Sequence, residues 1–261
     1  MLADRIARTT SASSLTQLCS PAHVRPLLLH TLFEALAYVA AAIVYVRLRR
    51  SRGDVVETQL RLEVIAGAAV GAALGSRLLA TFAEPPFTIL NLMHGKTIVG
   101  GLLGGWIGVE LAKRFAGITL RTGDLFAVPL ATATAIGRIG CFLAGPVDHT
   151  AGLPSDLPWA IAMGDPVRRH PVALYEIAFL LLLMPLLMFV MRRGRDGETF
   201  RLYVVAYLLF RFFVDFLKPD PPPVVFGITL IQLASIVGAL VAAVQLLPRR
   251  APLPHSEVRP T

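Results

Sequence analysis

"HPVALYEIAFLLLLMPLLMFVMRRGR" occupies residues 170–195. From Val172 to Met191 the block is apolar apart from one acid, Glu176, and it is followed at once by Arg192, Arg193 and Arg195. About 20 apolar residues in a helix cross the ~30 Å hydrocarbon core of a bilayer. A soluble amphipathic helix would break such a run with polar residues every third or fourth position. The stretch therefore reads as a membrane span with a basic, cytoplasmic flank and a buried acid near its other end.

The rest of the chain repeats that pattern. It has 261 residues, 55% hydrophobic and only 16% charged, with a mean hydropathy of +0.64. Soluble domains are usually about one quarter charged. Seven apolar blocks are long enough to span: about 27–46, 61–82, 97–112, 124–144, 172–191, 202–217 and 227–247. The third and sixth are short and need polar flanks or local thinning of the bilayer. The expected architecture is all-α, a polytopic integral membrane protein with seven transmembrane helices. Residues 1–26 form a Ser-, Thr- and Ala-rich tail without an apolar signal core, 27–247 a single membrane domain, and 248–261 a disordered Pro- and Arg-rich tail.

Charge sets the orientation. The net charge is +8. Arg47, Arg49, Arg50 and Arg52 follow the first block, Lys113 and Arg114 the third, Arg192, Arg193 and Arg195 the fifth, and Arg249 and Arg250 the seventh. The intervening segments hold fewer bases. This bias predicts the N-terminus outside and the C-terminus in the cytoplasm, and it accounts for the basic charge without a nucleic-acid partner. Cys19 and Cys141 are too differently placed to pair, and no metal-type spacing is present.

Ionisable groups in or near the spans are functional candidates. Glu110, beside Lys113 and Arg114, reads as a solvated interfacial charge; Arg77, near an outer end, is open between a snorkelling charge and a site residue. Arg211 and Asp215 are four apart and share a helix face. A salt bridge alone would explain them. Yet Arg138 in "GRIGCFLAG" (137–145), His94 in "HGKTIVGG" (94–101), and His170 and Glu176 in "RHPVALYE" (169–176) fall at the same, outer, half of the membrane. Two arginines and a histidine beside lipid suit a phosphate, because guanidinium stays charged and binds phosphate oxygens bidentately. "HGKT" is not a phosphate-binding P-loop: Leu90 stands where its first glycine belongs. Cys141, three residues beyond Arg138, reads as a small apolar filler, with a nucleophilic thiol as the alternative. Gly67, Gly71 and Gly75, and Gly100, Gly104 and Gly108, predict closely packed helices.

In order and placement, "HGKTIVGG", "GRIGCFLAG", "RHPVALYE" and "RFFVDFLKPD" resemble the motifs of the prolipoprotein diacylglyceryl transferase family. The resemblance covers roughly residues 30–225. It implies transfer of the diacylglyceryl group of phosphatidylglycerol to the thiol of a prolipoprotein signal-sequence cysteine. The product is a thioether, glycerol phosphate leaves, and no cofactor is required. The site would lie toward the outer leaflet of the bacterial cytoplasmic (inner) membrane. The catalytic set carried over is His94, Arg138, Glu176, Arg211 and Asp215. Arg138, Arg211, His170, Tyr175 and Cys141 would contact substrate. Cys141 and Ala144 stand where the family motif has asparagines, Pro146 where it has a glutamate, and Lys96 where it has a glycine. The alternative reading is a paralogue that binds or transports a phospholipid or other anionic lipid.

Overall fold

The computed structural model describes residues 21–53, 58–84, 92–93, 95–145, 151–163, 165–219, 222–224 and 226–247. Seven α-helices of seventeen residues or more run through the described residues: α1 (Pro21–Arg52), α2 (Thr58–Ala83), α3 (Ile98–Phe115), α4 (Asp124–Ala144), α5 (Val172–Arg193), α6 (Glu198–Val214) and α7 (Leu230–Leu246). A 3₁₀ turn (Asp215–Leu217) continues α6. Four of them, α1, α2, α4 and α5, are long and apolar enough to cross a membrane, and α7 is a shorter apolar helix.

The helix ends depart from the apolar blocks for local reasons. α1 starts at Pro21, inside the expected tail, and runs on to Arg52. Backbone hydrogen bonding does not stop where apolarity stops, and proline suits a first helical turn. α7 starts at Leu230 rather than 227 because Thr229 and Gln232 form a reciprocal capping box. α4 occupies the expected 124–144 and ends at Gly145, whose φ of 66° is a conformation glycine tolerates. Its first residue, Asp124, accepts hydrogen bonds from the backbone N–H of Gly197 at 2.5 Å and Phe200 at 2.9 Å. The carboxylate of one helix thus caps the N-terminus of another, where the helix dipole favours negative charge.

The glycine rows of α2 and α3 do what their spacing predicts. A Cβ built on Gly71 would lie 2.3 Å from the Gly104 carbonyl oxygen, and one on Gly75 would lie 2.4 Å from that of Gly100. The two backbones are in direct antiparallel contact, an approach that only glycine permits. At Gly140 of α4 an added Cβ would lie 2.7 Å from the Phe33 Cβ of α1, so that helix too is packed closely through a glycine. Between these pairs, Leu180, Leu187, Tyr203, Val204, Tyr207 and Leu208 form a fully buried core where α5 and α6 meet the bundle.

In the described part of the connection from α4 to α5, two-residue strands β1 (Ile161–Ala162) and β2 (Arg168–Arg169) pair antiparallel. Helix directions alternate, so the basic ends of α1, α3 and α5 share one end of the bundle with Arg121 and Arg201. The C-terminal ends of α4 and α6 and the start of α5 lie at the opposite end.

Candidate functional site

The start of α5 places Glu176 between the ends of α4 and α6. Its carboxylate is 1% exposed. Oε2 is 2.8 Å from Arg138 Nε and 3.2 Å from Arg211 Nη1, and Oε1 accepts a hydrogen bond from the Tyr207 hydroxyl at 2.5 Å. Arg211 also donates from Nη2 to Asp215 Oδ1 at 2.7 Å, one helical turn along. Lys218 Nζ sits 3.5 Å from the same oxygen. Three cations thus share two carboxylates, leaving one positive charge in excess within the buried cluster.

Satisfaction of this cluster is incomplete. Arg138 Nε faces Glu176 at short range but off the N–H direction. Arg138 Nε, Arg211 Nε and Asp215 Oδ2 are buried without a hydrogen-bond partner. Buried polar groups are normally paired, and the Arg211 Nε and Asp215 Oδ2 atoms of this cluster are not. The Lys218 pKa is lowered to about 8, chiefly by burial and then by Arg211 and Arg138, with Asp215 and Glu176 opposing them.

Four of the expected site residues, Arg138, Glu176, Arg211 and Asp215, are therefore brought together. Cys141 is buried beside them, its Sγ 3.6 Å from Arg138 Nη1. His170 and Tyr175 form a separate group at the same end of α5. Tyr175 OH accepts from Trp159 Nε1 at 2.8 Å and lies 3.2 Å from His170 Nδ1. Since indole only donates, the Tyr175 proton is free to point at His170 Nδ1. His94 and Pro146 fall outside the described residues. Glu110 is paired with Lys113 at 3.1 Å at the basic end of the bundle, as its neighbours suggested.

Sequence reading missed Tyr207, Lys218 and the partnership of Trp159. Tyr207 had a signal: it is four residues before Arg211, on the same face of an apolar helix, and a phenol there needs a partner. Lys218 lies three residues past Asp215, where the α-helix tightens into the 3₁₀ turn.

The fold and this cluster define a bundle of apolar helices with a buried, net-positive ionic centre near one end of its spans. A family model described as prolipoprotein diacylglyceryl transferase matches residues 22–247. The chain belongs to that family. Relatives named phosphatidylglycerol–prolipoprotein diacylglyceryl transferase include one from Methylocella silvestris, 31% identical over 250 residues, covering 84% of this chain and 90% of the relative. One from Clostridium tetani is 30% identical over 201 residues, covering 72% and 79%. One from Staphylococcus haemolyticus is 33% identical over 179 residues, and the alignment takes in 65% of this chain and 64% of that protein.

Proposed function

We propose that the chain is a membrane transferase that moves the diacylglyceryl group of phosphatidylglycerol onto the cysteine thiol of a prolipoprotein signal sequence. In this reading all seven helices span the bacterial cytoplasmic (inner) membrane. The N-terminus and the Arg138–Glu176–Arg211 cluster face outward, and the arginine-rich ends face the cytoplasm. Prolipoprotein signal sequences and the lipid bilayer are then its partners. The observation that carries the reading is the excess positive charge on three cations around two buried carboxylates, with unpaired N–H donors between them.

The chemistry follows from those groups. Thiolate attacks the glyceryl carbon that carries the phosphate ester. A C–S bond forms, the C–O bond breaks, the thiol proton passes to a base, and glycerol phosphate departs with the electron pair. Arg138 and Arg211 stabilise the charge that develops on the departing phosphate. His94, whose imidazole side chain can take up a proton, is the base this reading assigns. Glu176 has both oxygens engaged and acts as a positioning residue that holds the two guanidinium groups. The unpaired Asp215 Oδ2 suits a hydroxyl donor, and the headgroup glycerol carries hydroxyls. His170 and Tyr175 shape the mouth of the site. Cys141 fills space beside Arg138.

The test is complementation of a strain depleted of its own transferase, read by diacylglyceryl modification of a reporter prolipoprotein. Rescue that is lost in Arg138→Ala and Arg211→Ala supports the reading. Stable membrane expression without modification contradicts it.

A further inference from the structure

A polar-rimmed cavity lies at the other end of the bundle from the ionic cluster and takes no part in the chemistry above. It has a volume of about 1000 Å³ and runs between α3, α4, α6 and α7 with α2 behind. That is the upper end of the ~300–1,000 Å³ typical of small-molecule sites. Its walls are apolar: Leu102, Leu103, Trp106, Phe126, Leu130 and Val241 line it. Its mouth is basic. Arg114, Arg121 and Arg201 lie there, with Lys113 tied to Glu110. Arg121 donates from Nη1 to the Asp196 carbonyl at 3.1 Å and Arg201 from Nε to Gln245 Oε1 at 3.2 Å, and the Asp124 carboxylate acts on Arg201, so with Asp124 counted beside these five groups the rim carries an excess of two positive charges. Thr122 also lines it, with a buried hydroxyl oxygen that has no hydrogen-bond partner.

The space is kept open by the backbone. α3 carries two rows of glycine. One row, Gly100, Gly104 and Gly108, is consumed by contact with α2, where an added Cβ would come within 2.1–2.3 Å of a carbonyl oxygen. The other row serves no such contact. A Cβ on Gly101 would meet nothing nearer than 3.8 Å, and one on Gly105 nothing nearer than 3.4 Å. Both of these glycines line the cavity. Arg201 at the rim and Arg211 in the ionic cluster are ten residues apart on α6, about 15 Å along the axis. The two sites are therefore separate.

We propose that this cavity is a binding site for an anionic phospholipid, its phosphate held by Arg114, Arg121 and Arg201 and an acyl chain lying along the Gly101–Gly105 wall. An apolar slot with a cationic mouth matches a lipid's two halves. Basic pockets between membrane helices are a recurrent way of holding anionic headgroups. A zwitterionic lipid offers the same tail but cancels the charge match. The inference does not rest on the transferase reading.

Trp106 supplies the reporter, since the chain has only two tryptophans and the other, Trp159, is in the α4–α5 connection. The experiment uses the full chain carrying Trp159→Phe, titrated in mixed micelles with phosphatidylglycerol or phosphatidylcholine brominated on the acyl chain. Trp106 quenching should saturate at low mole fraction with phosphatidylglycerol. The half-quenching fraction should rise about fivefold for each of Arg114→Gln and Arg121→Gln, from the usual attraction of a basic side chain to an anionic lipid surface. Arg121→Lys should keep most of the preference, and Gly101→Phe, which fills the slot, should abolish saturation. Equal half-quenching fractions for the two lipids, or an unchanged fraction in both glutamine variants, would overturn the proposal. Relief of quenching by free glycerol phosphate at matched concentration would overturn the lipid assignment. Arg138→Gln and Arg211→Gln should leave the quenching as it is, so that failure here and failure of the transferase reading are told apart.

Discussion

Replacing Glu176 by glutamine keeps the shape of the side chain and removes the charge that two guanidinium groups share. The carboxylate is 2.8 Å from Arg138 Nε, 3.2 Å from Arg211 Nη1 and 2.5 Å from the Tyr207 hydroxyl, with 1% of the residue exposed. Without it, Arg138, Arg211 and Lys218 face Asp215 alone. Breaking a buried pair by removing one partner costs about 3–5 kcal/mol, because the other charge stays buried and uncompensated. Equilibrium unfolding in mixed micelles, followed by tryptophan fluorescence, should show a loss of that size. Adding Arg138→Gln to Glu176→Gln restores the original charge balance, so the double variant should be more stable than Glu176→Gln alone. The coupling should fall in the ~0.5–3 kcal/mol range of directly contacting residues. A loss below about 1 kcal/mol for the single variant, or simple additivity in the double, would refute the view that Glu176 holds the cluster together.

Tyr207→Phe deletes the hydrogen bond to a buried carboxylate and should cost about 1.5–3 kcal/mol in the same unfolding assay. Gly104→Ala should destabilise by about 1–3 kcal/mol through overpacking against Gly71. Gly101→Ala, with open space at its Cβ, should be neutral or stabilising, and equal losses at the two sites would contradict the packing described for α2 and α3. Cys141→Ala should retain transfer activity; complete loss would make the thiol a participant. Lys218 has its pKa lowered from 10.5 to about 8, so between those values the folded state binds fewer protons than the unfolded chain. Stability should therefore rise with pH across that window, and the slope should vanish in Lys218→Met. A slope of the opposite sign would mean that the ammonium is stabilised in place.

Much of the frame was legible because a bilayer imposes a length on apolar helices. The α4 block was read at its observed bounds, since Asp124 and Gly145 are both hydrophilic punctuation and strong helix-end residues. The Arg211–Asp215 pair was legible because the i, i+4 relation is local. The meeting of Arg138, Glu176 and Arg211 was foreshadowed by their common placement toward one end of their apolar blocks and by the family motifs they sit in, not by any local spacing. That Glu176 spends both oxygens on partners from α4 and α6 depends on how three helices rotate against one another, and no local spacing encodes rotation. The pairing of β1 with β2 was hidden for another reason: two-residue strands have no period to detect. Which glycines wall the basic-end cavity could not be read, because Gly101 and Gly105 look the same in sequence as the glycines that pack α2 against α3.

The measurement that bears most directly on the central claim is transfer by the purified chain in phosphatidylglycerol vesicles. A synthetic signal-sequence peptide with one cysteine serves as acceptor, and mass spectrometry reads both products. The expected result is a peptide carrying a diacylglyceryl thioether with an equal amount of glycerol phosphate released. The rate should fall about 10²–10³-fold in Arg138→Gln and in Arg211→Gln, each of which removes one donor to the developing charge. A folded chain that yields no thioether, or arginine variants that turn over at the parent rate, would contradict it.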